Sequence, residues 1–160
     1  MLCPVEAQDF DDLARLWASE DMTRYISGRP MTGEEVWFRL LRDIGHWSAL
    51  GHGGWNVKLH NGTLVGSVSL FDAKRELSPP FTDIEVGWAM DPNYQGRGLA
   101  LEALQAALTY ADEKLKLSRT VCMISAENTA SIRLAERVGF RFYADGHYKA
   151  DVVRLYERLR

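Results

Sequence analysis

Cysteine is scarce in this chain of 160 residues: there are two, Cys3 and Cys122, far apart in sequence. That excludes a disulfide-stapled scaffold and favours a reducing, cytoplasmic setting. Cys122 lies in the apolar run TVCMI and reads as a buried small hydrophobe. Basic charge is not in excess either. Nineteen Lys and Arg against 22 Asp and Glu leave a net charge of −3, which argues against a non-specific nucleic-acid binder. No apolar run approaches the roughly 18 residues that a membrane span needs. The opening segment MLCPVEAQDFDD has neither the basic start nor the apolar stretch of a secretory signal. No repeat, low-complexity tract or linker interrupts the chain, so its length fits one domain over residues 1–160, large enough to bury a core without staples. The histidines His46, His52, His60 and His147 have no Cys or carboxylate partners at metal-site spacing, so no metal site is expected.

What is present is an alternation of helical and strand patterns. Phe10, Leu13, Leu16 and Trp17 recur at helical spacing. Thr32 and Glu35 form a capping-box pattern that opens a second helix, continued by Val36, Leu40, Ile44 and Trp47 and ended by His52-Gly53-Gly54. Residues 55–59 and 64–71 read as a hairpin with Asn61-Gly62 in its turn. Residues 72–81 are polar and Pro-containing, a loop. Residues 83–90 read as a strand. Leu101, Leu104, Leu108, Ala111 and Leu115 mark one face of a long helix. Residues 120–125 follow as a buried-type strand, and Thr129–Val138 as a helix capped by Gly139 with Phe140 behind it. Residues 140–145 and 149–157 complete the pattern as two strands turned at Gly146, the latter an exposed edge that could pair in a dimer. The class is α+β.

The junction after the strand at 83–90 carries the strongest functional signal. Gln95-Gly96-Arg97-Gly98-Leu99-Ala100 separates that strand from the long helix. The first N–H groups of a helix lack internal partners and lie at the positive end of its dipole. Gly96 and Gly98 lack Cβ atoms, so a ligand can approach the backbone closely. Arg97 could add a charge-assisted contact. A phosphate or pyrophosphate is the guest such a site expects. A P-loop is excluded for want of its Lys-Ser/Thr, and the dinucleotide pattern for want of its third small residue, which is Leu101 here. A strand-to-helix turn that needs glycines for steric reasons is the other reading.

The same six residues match the Arg/Gln-x-x-Gly-x-Gly/Ala pattern of the GNAT superfamily of N-acetyltransferases. The preceding Glu85-Val86-Gly87-Trp88-Ala89-Met90 and Asp91-Pro92 resemble that superfamily too. So does the block from Asn128 through Ser131 to Gly139-Phe140, which is similar to the subgroup of ribosomal-protein N-terminal acetyltransferases. Tyr25-Ile26 and the helix after it share that likeness. The resemblance covers almost the whole chain, although Met1–Val5 leaves little room for the subgroup's longer first strand.

The resemblance implies a mixed, largely antiparallel central sheet flanked by helices, with the fourth and fifth strands splayed apart. It implies acetyl-coenzyme A as co-substrate, its pyrophosphate on the loop from Gln95 to Ala100. Its pantetheine arm would lie in the gap, against the backbone of Trp88, Ala89 and Met90, as an added strand. One of those N–H groups could polarise the thioester carbonyl. Gly87 is compatible with a bulge that starts the splay, or with relief of packing against a neighbour. The acceptor is an amine, either a protein N-terminus or a small molecule. Glu85 is the candidate base, with a solvated or Arg-paired residue as the other reading. Many superfamily members have a tyrosine acid four residues before the Gly-Phe pair; here that position is Ala135, and Ser131 is the replacement candidate. Asn128 would contact the pantetheine arm and Ser131 the cofactor as well, though an asparagine before a helix is also a favoured cap and an early-helix serine hydroxyl can bond to backbone. The tryptophans of the N-terminal third are mostly core, with Tyr25 and a few rings as candidate acceptor-site walls. A non-catalytic acyl-CoA sensor is the rival function, and a nucleotide-binding regulator a third. A monomer and a homodimer are equally allowed.

Overall fold

Thr32 and Glu35 close a reciprocal cap at the start of the longest helix: Glu35 N–H donates to Thr32 Oγ1 at 3.3 Å, and Thr32 N–H to Glu35 Oε2 at 2.8 Å. That helix is α3 (Gly33–Leu50), and it ends on Gly51 in the left-handed conformation, slightly before the His-Gly-Gly expected to stop it. The computed structural model describes residues 1–160. Two shorter helices precede α3, namely α1 (Phe10–Trp17) and α2 (Glu20–Thr23), and two follow, α4 (Leu99–Glu113) and α5 (Thr129–Arg137). The strands are β1 (Leu2–Pro4), β2 (Gly54–Lys58), β3 (Leu64–Phe71), β4 (Leu77–Ser78), β5 (Glu85–Met90), β6 (Arg119–Ile124), β7 (Arg141–Tyr148) and β8 (Asp151–Leu159).

They form one eight-stranded sheet in the order β1-β2-β3-β5-β6-β8-β7-β4. Every neighbouring pair is antiparallel except β5 and β6. The two strands expected to splay are therefore β5 and β6, the two-residue β4 having formed inside the segment expected as a loop.

Both sheet faces are covered. Alternation along β5 shows how: Val86 and Met90 join the core under α4 and α5 with Leu104, Ala107 and Ala135, whereas Ala89 joins Leu13, Leu16, Trp17, Val36 and Leu40 under α1 and α3. Trp47, Trp55 and Tyr110 meet edge to face, with ring centroids 4.9–5.8 Å apart, and tie α3 to α4. Gly139 takes a positive φ after α5, and Phe140 N–H returns to the Ala135 carbonyl.

Two expectations about the C-terminal strands are corrected. Gly146 lies inside β7, opposite Val153, and the turn falls at residues 149–150. A Cβ there would stand 2.9 Å from the Leu155 side chain, so close packing, and not a turn, calls for glycine. Nor is β8 an edge: it lies between β6 and β7. The route to a dimer through Val152–Tyr156 is therefore closed.

Arg158 of β8 forms a two-pronged pair with Asp112 of α4 at 2.9 and 2.6 Å, and this contact holds the Asp112 carboxyl below its ordinary value. A carboxylate lowered in the folded state contributes stability above its unfolded value and loses it as pH falls. The unfolding free energy from urea titrations is expected to decline as pH drops below 3.8. The Asp112→Asn variant, less stable at neutral pH, is expected to decline less steeply over the same interval.

Candidate active site

The two central strands touch at a single paired position, Glu85 with Val121. On its other side β5 pairs with β3 along its whole length, from Glu85 with Phe71 to Met90 with Gly66. Beyond Glu85 the gap between β5 and β6 is open. The Asp91 N–H donates to the Val65 carbonyl at 2.9 Å. The alternation of an antiparallel ladder then turns the backbone groups of Gly87 and Ala89 to β3 and those of Trp88 and Met90 into the gap. Ala89, expected to line the gap with its two neighbours, has no backbone group to offer there, and its side chain is buried under α1 and α3. Gly87 sits in regular register with Ser69, without a bulge. A Cβ on it would stand 3.0 Å from the Phe71 ring, so its role is close packing.

At the open end of the gap the chain forms a short turn, Pro92–Tyr94, capped by Asp91, and then enters the glycine loop. Gly96 and Gly98 have φ of 74° and 77°. A Cβ on either would meet nothing within 4 Å. Their need for glycine is therefore conformational, and the space beside them is free. Gly98 caps α4 with no side-chain acceptor, and the first helical bond is from Glu102 N–H to the Gly98 carbonyl. The N–H groups of Gly96, Arg97, Gly98, Leu99, Ala100 and Leu101 have no partner within the chain. Six successive free donors at a helix N-terminus could hold an anion. Gln95 and Arg97 flank it, exposed; Arg97 stacks on Tyr94 with its Cζ 5.0 Å from the ring centre.

Across the gap, α5 opens on Asn128. Its side-chain oxygen accepts from Ser131 N–H at 3.1 Å, so Asn128 is a helix cap. The Ser131 hydroxyl has no partner in the chain and is half-buried.

Glu85 marks the closed end of the gap. It is buried, and its Oε2 accepts from Arg75 Nε at 2.6 Å. Arg75 Nη1 reaches the Tyr148 hydroxyl at 2.8 Å. Burial pushes the Glu85 carboxyl above its ordinary value, and the Arg75 contact partly offsets this, helped by the charges of Arg42 and Arg39. Arg75 and Tyr148 line a cavity of about 660 Å³, between α3, the loop after β3 and the turn joining β7 to β8. Neither residue carries a local motif, and sequence reasoning missed both. Tyr25 and the N-terminal tryptophans do not line this cavity.

The arrangement thus combines a free strand edge, a run of six unpartnered N–H donors and a buried carboxylate beside an open cavity. A family model described as an acetyltransferase (GNAT) domain matches residues 1–141. A solved structure from Bordetella pertussis, described provisionally as a GNAT-family acetyltransferase, superposes with a TM-score of 0.86 at 33% identity, covering 98% of this chain and 93% of that one. N-acetyltransferase p20 of Bacillus licheniformis, itself uncharacterized, is 25% identical over 98% of this chain and 83% of its own length. YdaF of Bacillus subtilis, whose name assigns it provisionally to ribosomal N-acetylation, is 30% identical over 51% of this chain and 43% of its own length. Several curated relatives match over less than half of their own length.

Replacing Gly98 by alanine forces a Cβ into the left-handed region, at a cost of about 1–2 kcal/mol. The expected outcome is a lower urea midpoint with an unchanged slope, since nothing packs against the added methyl.

Proposed function

Because the chain belongs to the acetyltransferase (GNAT) family, we propose that it moves the acetyl group of acetyl-CoA directly to the primary amine of a protein N-terminus or a small molecule. The observation that carries this reading is the run of six unpartnered N–H groups from Gly96 to Leu101, beside a strand edge freed by the splay. That pairing suits a pyrophosphate joined to a peptide-like arm.

Gly96 to Ala100 hold the pyrophosphate, with Gln95 and Arg97 at its flank. The arm runs along Trp88 and Met90, and an N–H of that edge polarises the thioester carbonyl. The amine attacks the carbonyl carbon. The new C–N bond forms, the C–S bond breaks and coenzyme A leaves as the thiolate. Glu85 takes the proton that the amine must lose. Its burial supports this role, because a carboxyl raised above its ordinary value is the better base near neutrality. Its Oε1 has no partner in the chain, while Oε2 is held by Arg75. Ser131, with its hydroxyl uncommitted, donates a hydrogen bond to the thiolate and relays to it a proton taken up from solvent, and the Asn128 amide nitrogen, left free by the cap, contacts the arm. The finer placement, among acetyltransferases of ribosomal-protein N-termini, is supported by the Asn128-to-Phe140 block and by the match to YdaF.

Thermal unfolding with acetyl-CoA at a hundred times its dissociation constant should show a stabilisation of about 2.7 kcal/mol. For a chain of this size that is a rise of roughly 5–10 °C, with ATP and NAD giving no comparable rise. In a thiol-release assay with an amine panel, Glu85→Gln should lower kcat by roughly 10²–10⁴ while the acetyl-CoA shift remains. A rise of kcat/KM with pH through a value above 4.5 in the parent, absent in the variant, should accompany it. Full turnover by Glu85→Gln would remove Glu85 from the mechanism.

A further inference from the structure

The cavity over Glu85 is unusual in its charge. The chain as a whole is acidic, yet the lining of this cavity carries Arg42, Lys74, Arg75 and Lys149 against two carboxylates, Asp72 and Glu76, with His46 and His147 beside them. Two of these charges are committed within the fold: Arg75 holds Glu85, and Arg42 holds Asp43 at 2.7 Å. Lys74 reaches Asp72 at 2.6 Å but remains largely in solvent. Lys149 has no acidic partner at all; its ammonium lies 5.5 Å from the centre of the Tyr148 ring. The cavity opens at the closed end of the gap, one side chain from Glu85, through Arg75.

A second observation concerns the backbone. Only three non-glycine residues in the chain have positive φ, and two of them are the lysines of this cavity, Lys74 at 46° and Lys149 at 55°. A two-residue hairpin turn such as that at 149–150 ordinarily takes Asn or Gly at its left-handed position. Lysine there is uncommon and energetically unfavourable; the third such residue, Lys116, lies outside the cavity. Both turns hold an ammonium at the mouth of the same cavity.

Resting on the acetyl-transfer reading, we infer that the acceptor is a primary amine whose own molecule carries an anionic group, a carboxylate or a phosphate, bound by Lys74 and Lys149. A polyamine is disfavoured by the same charges, since its ammonium groups would meet those of Lys74 and Lys149. Glu76, the lining carboxylate without a basic partner, works against an anionic acceptor and sets a limit on the preference.

The test compares initial rates of thiol release with glutamate against glutamine, O-phosphoserine against serine, a hexapeptide bearing Asp and Glu at positions two to four against the matched Asn/Gln hexapeptide, and with spermidine. The small acids and the acidic peptide distinguish a free metabolite from a chain terminus. At least one acidic acceptor should exceed the matched neutral amine in kcat/KM by roughly tenfold, a difference that shrinks as salt is added, and spermidine should be the poorest. The double variant Lys74→Asn/Lys149→Asn removes both charges with a residue that tolerates positive φ. It should melt no lower than the parent, keep its acetyl-CoA shift and lose most of the preference for the acid. No acidic acceptor above its matched neutral amine, a preference for spermidine, or an unchanged preference in the double variant would overturn the inference while leaving acetyl transfer intact. If acetyl-CoA stabilises the fold but no amine releases thiol, the transfer reading falls. Calorimetric titration of the coenzyme A complex with the acidic and neutral peptides then decides the anion site alone: selective binding supports it and equal binding refutes it.

Discussion

The parallel contact between β5 and β6, reduced to the pair Glu85 and Val121, is the constraint from which the site follows. Parallel neighbours in the middle of a sheet normally exchange bonds along their length. Here one edge of β5 is left bare. The strand stays straight because β3 holds its other edge through six consecutive pairs. The gap is therefore part of the resting structure, and no rearrangement has to open it. Its two ends are chemically different. At one end α4 begins with donors that nothing in the chain satisfies; at the other a buried carboxylate is held by an arginine from a loop ten residues earlier. A long molecule with an anion at one end and a reacting centre further along matches this polarity.

The free donors carry little penalty in the absence of a guest. Gly96, Arg97 and Gly98 are exposed and Leu99 and Ala100 half-buried, so water serves the loop. The demanding feature is conformational: two left-handed residues stand within three positions, which the two glycines allow. Burial is the demanding feature at the other end. Glu85 would be costly as a bare charge, and Arg75 compensates while Tyr148 holds Arg75 in turn.

What could be read along the chain was what depends on near neighbours. The Thr32–Glu35 box, the Asn61-Gly62 turn and the Gly139-Phe140 stop each use residues within a few positions of one another, and each forms as the pattern indicates. The loop from Gln95 to Ala100 belongs to the same class, because a glycine pair before a helix has a local meaning. Segments set by distant partners escaped. Leu77–Ser78 is a strand because Tyr148 and His147 lie opposite it, some seventy residues on. Gly146 resembles a turn residue and is a packing residue, because the Leu155 side chain comes from the other strand. Arg75 sits in an unremarkable polar stretch, and only the fold brings it between Glu85 and Tyr148. The division within Trp88, Ala89 and Met90 needs the register against β3, which no single-strand pattern contains.

The position of β8 has a consequence for how this protein is made. Strands β1 to β3 and β5, with the first three helices, can assemble as the chain emerges, since their pairings are sequential. β6 and β7 cannot pair with each other; each waits for β8, which inserts between them and is synthesised after both. Until β8 docks, β6 has a single paired position on one side and nothing on the other, and β7 has only the two-residue β4. Any state in which β8 is undocked therefore presents two unsatisfied strand edges, those of β6 and β7. Docking of β8 is thus the step that protects both edges from pairing with another chain.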